Sequence, residues 1–240
     1  MGTGKKLVIG GVVAVGAIGV IGILLVILIV GYLGFMPVVS DIMGTNKPKD
    51  LGVTYSTTDL ASGLAKLDGT QVLNETALCV TCKYTSTGSV PVESSYTSAE
   101  FTAHLNEISS DKGPLKDTQV KFNKDGTFEA TGLISDPRFT NAFYIKGTIA
   151  EGSGKTIKLD LSDSSVGNLG LAGDQKQKAE EVLNSAVSDF INKNPGMSVE
   201  SISISDGQLN YKGTMPAQIT GDPNSQPEDV FSKYGAGYIN

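Results

Sequence analysis

Few residues of this 240-residue chain can do covalent or metal chemistry. Cys79 and Cys82 are its only cysteines, spaced C-x-x-C within ALCVTCKY. A redox pair of that spacing sits at a helix N-terminus, where the dipole lowers a thiol pKa. The surrounding residues suit a strand or a tight turn instead. Strand residues three apart face opposite sides, so a disulfide between Cys79 and Cys82 needs a local turn. A structural disulfide, two inert thiols, and a redox or metal site all stay open, although zinc would need further ligands. His104 is the sole histidine. It falls between Ala103 and Leu105 on a helical pattern, which places it on a helix surface rather than in a triad. EGSGKT at residues 151–156 has the ending of a phosphate loop, but that motif needs glycine at position 149, which is Ile149, and a helix afterwards. It reads as a hairpin turn. Asp160 and Asp163 in LDLSDSS lack the D-x-[DN]-x-[DN]-G spacing of a calcium loop. No catalytic residue, metal ligand or cofactor is assigned on these grounds.

The elements that would position such groups show internal echoes. YSTTDLASGLAKL begins at Tyr55 and YTSAEFTAHLNEI at Tyr96. Each opens with a capping box, Ser56 with Asp59 and Thr97 with Glu100, in which a hydroxyl and a carboxylate three residues apart satisfy free N–H groups. Each continues with one apolar helical face: Leu60, Leu64 and Leu67 in the first, Phe101, Leu105 and Ile108 in the second. Gly63 stands in the first copy where His104 stands in the second, so the first helix is the weaker former. The second copy is expected in the core unit, with the first packed beside it.

The period then changes to alternation. Residues 118–134 read as a hairpin turning at Asp125-Gly126, residues 143–161 as a second turning at 152–154, and residues 198–215 as a third turning at Asp206-Gly207. Between the last two, residues 175–192 carry a continuous apolar stripe that includes Ala179, Val182, Leu183, Val187, Phe190 and Ile191. Gly132, Gly147 and Gly213 fall at equivalent points of three strands, as bulges or bends would require. Residues 69–91 suggest a further strand pair. The expected fold is α+β: an N-terminal transmembrane helix, then a bent antiparallel sheet of hairpins packed on amphipathic helices.

Residues 7–36 contain no charge. A membrane-spanning helix needs about 20 apolar residues, and a cleaved signal peptide has a shorter apolar region. Lys5 and Lys6 precede the run and Asp41 follows it, which favours a cytoplasmic N-terminus. The sequence therefore divides into a cytoplasmic N-terminus (1–6), a transmembrane signal anchor (7–36), a linker (37–50), a membrane-proximal helix and strand subregion (51–95), a main extracytoplasmic domain (96–216) and a polar tail (217–240). Gly16, Gly19 and Gly22 recur every third residue of the anchor, spacing that lets another helix approach and supports self-association. Ordinary glycine content of a span explains them equally. The chain has 19 basic and 25 acidic residues. Without Lys5 and Lys6 the balance is 17 against 25, net −8. That excess, with Arg138 as the only arginine, argues against nucleic acid and against docking on anionic lipid.

The order of elements, with YTSAEFTAHLN at 96–106 and SISISDGQLNYKGTMP at 201–216, resembles membrane-anchored extracytoplasmic lipid-binding families with a tubular lipid-binding-like (TULIP-like) fold. The resemblance covers about half the chain and leaves out the first echo and the C-x-x-C pair. It implies a bent sheet around an apolar groove, lined here by Phe101, Leu105, Val182, Val187 and Phe190. The same residues would also serve as ordinary core. The functional expectation is a non-enzymatic, single-pass cell-membrane binding module for lipid or another apolar ligand. A cell-envelope scaffold or protein-interaction subunit is the alternative, and a surface hydrolase the third.

Overall fold

A computed structural model describes residues 47–66, 69–73, 84–109, 115–136, 139–166, 169–222 and 224. Among them are three helices: α1 (Thr57–Ala65), α2 (Ser98–Ser109) and α3 (Asp174–Lys193). The strands are β1 (Gln71–Leu73), β2 (Tyr84–Thr87), β3 (Val90–Thr97), β4 (Leu115–Phe122), β5 (Thr127–Asp136), β6 (Phe139–Glu151), β7 (Ile157–Val166), β8 (Leu169–Gly170), β9 (Ser198–Ser205), β10 (Gln208–Met215) and β11 (Gln218–Gly221).

The expected architecture needs correction. The strands form three sheets, not one bent antiparallel sheet: β4-β5-β6-β7-β8, β3-β10-β9 and β1-β11-β2. The β1–β11 pair is parallel. No helix of the described residues is long and apolar enough to cross a membrane. The anchor expected at 7–36, with Gly16, Gly19 and Gly22, lies outside the described residues. The strand pair expected at 69–91 is also different. β1 and β2 flank β11 instead of pairing with each other, so residues assigned to a polar tail supply the central strand of a small sheet.

The three expected hairpins form, and their registers explain the glycines. The β6–β7 register shifts at Lys146/Gly147 and the β9–β10 register at Lys212/Gly213. Gly132 lies opposite the shift between Lys116 and Gln119 in β4–β5. A Cβ on Gly147 would run into the carbonyl of Asp160, and one on Gly213 into that of Ser198. Each bulge adds a residue on one side, which bends the strand pair.

One core joins these elements. α3 contributes Ala179, Leu183, Val187 and Ile191, spaced one turn apart and nearly fully buried. α2 contributes Phe101 and Leu105, and the inner face of the five-stranded sheet contributes Val120, Phe128, Ile145 and Leu159. The opposite face is polar. Lys121, Glu129, Lys146 and Asp163 stand in cross-strand register, so the sign of charge alternates over four strands.

Both long edges of the five-stranded sheet are covered by helices that act through polar side chains. On α2, Ser98, Thr102 and Asn106 recur at every fourth residue. Ser98 Oγ accepts from Phe122 N at 2.9 Å, and Thr102 Oγ1 accepts from Val120 N at 2.9 Å and donates to its carbonyl at 3.2 Å. The Asn106 amide accepts from Thr118 N and donates to Thr118 O, at 3.1 and 2.7 Å. On α3, Lys176, Glu180 and Asn184 have the same spacing against β7. Lys176 donates to Leu161 O, Glu180 accepts from Leu161 N, and Asn184 pairs with both backbone groups of Leu159 at 2.7 and 2.9 Å. An asparagine amide here does what the backbone of a neighbouring strand would do.

Two tests follow from this geometry. Gly147→Ala should lower stability by about 1–3 kcal/mol through overpacking. Gly170→Ala, with open space at its Cβ, should stay within about 0.5 kcal/mol of the parent. Asn106→Ala and Asn184→Ala should each cost about 1–3 kcal/mol by orphaning edge groups. Because the two sites lie on opposite edges, the losses should add to within about 0.5 kcal/mol in the double variant. Urea unfolding at neutral pH checks all four.

Candidate functional site

The densest buried polar cluster lies where α1 crosses α2. Both predicted capping boxes form: Ser56 N donates to Asp59 at 2.8 Å, and Thr97 N donates to Glu100 at 2.8 Å. Their surroundings differ. Asp59 faces solvent, whereas Glu100 is 5 % exposed. Glu100 also accepts from Ser62 Oγ and from Lys66 Nζ, both at 2.6 Å and both from the first echo. Lys66 Nζ donates in addition to Ser95 O at 2.6 Å, and Ser94 Oγ donates to Lys66 O at 2.8 Å. One carboxylate therefore ties together α1, α2 and the end of β3. Burial raises the Glu100 pKa, but its bonds from Lys66, Ser62 and Thr97 outweigh burial and hold it below the ordinary carboxylate value. Gly63 makes the close crossing, since its Cβ position is 3.4 Å from Glu100 Cβ.

His104 lies one turn beyond Glu100. Sequence reasoning placed it on a helix surface, and the structure corrects this. It is 1 % exposed, and neither ring nitrogen has a hydrogen-bond partner among the described residues. The reason is non-local: residues 100–105 of α2 are buried on every side, which one amphipathic period cannot forecast. Burial lowers the His104 pKa to about 3, with Glu100 opposing. A neutral, enclosed imidazole has no access to a substrate proton.

A second polar cluster sits on the outer face of the five-stranded sheet. The linker expected at 37–50 ends in a docked strap. Lys49 N donates to Thr131 Oγ1 at 3.1 Å, and Leu51 N and Val53 N donate to Gln119 Oε1 at 2.9 and 3.4 Å. Lys49 Nζ lies 3.9 Å from the Tyr144 ring centroid and 3.5 Å from Glu129. Tyr144 Oη and Asn123 Nδ2 also donate to Glu129. Gln119, Thr131 and Tyr144 are register partners, so the strap follows one cross-strand row. Sequence alone offered no signal for this cluster or for the Lys66–Glu100 pair, because each joins residues far apart in the chain.

The other candidates fall as follows. Phe101, Leu105 and Val187 pack together in the core, and Phe190 is half-buried against it. Phe101 meets Phe122 edge to face with centroids 5.3 Å apart. Val182 lies in α3, but its side chain is outside the described residues, as are Cys79 and Cys82. Residues 151–156 form the expected turn: Gly152 N donates to Thr156 O at 2.9 Å, and strand β7 follows directly. Asp160 and Asp163 are exposed on β7. Among the described residues, no three His, Cys, Asp or Glu side chains gather into a metal site.

The His104 environment predicts acid sensitivity. Its folded-state pKa lies below the ordinary 6.5. The unfolded chain then takes up a proton below pH 6.5 that the folded chain refuses, so stability falls with pH between 6.5 and about 3. By pH 4.5 the loss from this residue should reach about 2–3 kcal/mol. Urea titrations at pH 6.5 and 4.5 should show it, and His104→Leu should flatten the slope.

Comparison with known proteins adds no relative. No family model, curated protein or solved structure matches the chain, and the TULIP-like resemblance rests on its sequence motifs alone.

Proposed function

We propose that the chain is a non-enzymatic interaction subunit of the cell envelope, attached to the membrane through residues 7–36 and acting as a scaffold for another protein. The attachment rests on the uncharged run in the sequence. The observation that carries the scaffold reading is the packing of the side chains proposed to line a groove. Leu105 and Val187 are at most 1 % exposed, and Phe101 is engaged with Phe122. An acyl chain could enter only by parting them, and an aromatic pair of this kind contributes about 0.5–1.5 kcal/mol beyond its buried area. His104, enclosed and without a hydrogen-bond partner among the described residues, lends the hydrolase reading no support.

The test is native mass spectrometry of the full chain extracted from membranes in mild detergent. The expected spectrum shows a protein complex of fixed stoichiometry and no acyl-lipid adduct. Retention of one lipid per chain, with no protein partner, would replace the scaffold by a lipid carrier.

A further inference from the structure

The strap and α1 are consecutive in the chain, and both rest on the main body through few apolar contacts. Of the side chains in residues 47–66, only Leu51 and Leu64 are buried apolar groups. The remaining attachment is mainly polar: three strap N–H groups on Thr131 and Gln119, Lys49 on Glu129 and Tyr144, Ser62 and Lys66 on Glu100, and Lys66 also with Ser94 and Ser95. α1 has nine residues, and a helix shorter than roughly 12 residues is marginal in water without tertiary support. It therefore loses its structure when it loses α2. Beneath the strap, β5 and β6 are paired over ten residues of register and contribute to the core. Segments with little apolar burial open at lower free energy than such strands.

From this asymmetry we infer that residues 47–66 form a clasp that opens as one unit while the main body stays folded. The clasp sets the length of the tether to the N-terminal run. Closed, the first described residue hydrogen-bonded to the body is Lys49, 49 − 36 = 13 positions after Met36. Thirteen residues span at most about 45 Å. Open, the next described residue hydrogen-bonded to the body is Thr70, 70 − 36 = 34 positions after Met36, and the limit becomes about 120 Å. The reach rests on the membrane reading of residues 7–36, whereas the opening does not. A partner or a pull that releases the clasp would let the folded body stand off from its attachment.

Hydrogen exchange with mass spectrometry on the full chain in detergent tests the clasp. The amides of Lys49, Leu51, Val53 and α1 should exchange at least about ten times faster than those of Ala130 and Ile145. Lys66→Ala should speed strap and α1 amides together, by about tenfold, and leave β5 and β6 unchanged. Gln119→Ala, acting from the other end, should speed α1 as well. Strap amides that keep their protection in Lys66→Ala would show two independent pieces and overturn the inference. So would clasp and core amides exchanging together in the parent chain.

Discussion

A sheet placed in water must do something with the backbone groups of its outermost strands, and that constraint organises this protein. An unpaired edge either draws in another chain or leaves buried N–H and C=O groups without partners. Here the five-stranded sheet meets the problem with helices. Ser98, Thr102 and Asn106 cover β4, while Lys176, Glu180 and Asn184 cover β7. Spacing by four keeps each trio on one helical face, and its bonds go to alternate strand residues or their neighbours. Because the polar ladder fixes how each helix lies along its strand, the apolar residues beside it are aimed inward. Phe101 and Leu105 on α2, and Leu183 and Val187 on α3, enter the core as a result.

With α2 held against β4, its remaining side faces α1, and the Glu100 junction follows. A carboxylate with 5 % exposure would be unfavourable alone. Three donors from two segments, α1 and the end of β3, satisfy it, and they include a lysine whose ammonium is 2.6 Å away. Removing one partner from such a pair is far more damaging than replacing the whole pair, since the survivor stays buried and unmatched. The junction therefore specifies where α1 sits more than it adds to total stability. His104 lies inside the same enclosure without a bond of its own, so that region carries an electrostatic liability beside its strongest ion pair.

Much of this was legible in the sequence, and the boundary is physical. Capping boxes, DG turns, the α3 stripe and the strand glycines are local signals, and each appears where residue spacing places it. The bulges at Gly147 and Gly213 were visible as repeated glycines because no other residue tolerates the close approach of a facing carbonyl. What could not be read were pairings between distant segments. The parallel β1–β11 pair was absent from the expected pairings, since three-residue strands carry too little alternation to announce a partner. His104 looked exposed because it lies off the apolar face of Phe101, Leu105 and Ile108, and only elements packed on the other sides of α2 bury residues 100–105 throughout. The Lys49 strap had the composition of a linker, and its bonds go to side chains that alternation assigns to solvent.

The order of the strands also has a meaning in time. β4 through β8 pair with their immediate successors in the chain, so that sheet closes by a series of short loops. The two smaller sheets are built the other way. β3 has no partner until β10 has been made, and Gln71 of β1 must wait for Gln218. Long loops are slow to close, and unpaired strands left waiting are the segments on which chains stick to one another. During synthesis the protein thus holds its first strands open until almost its last one emerges. Pro91 near the start of β3, which removes one backbone donor from that waiting edge, guards it during the interval.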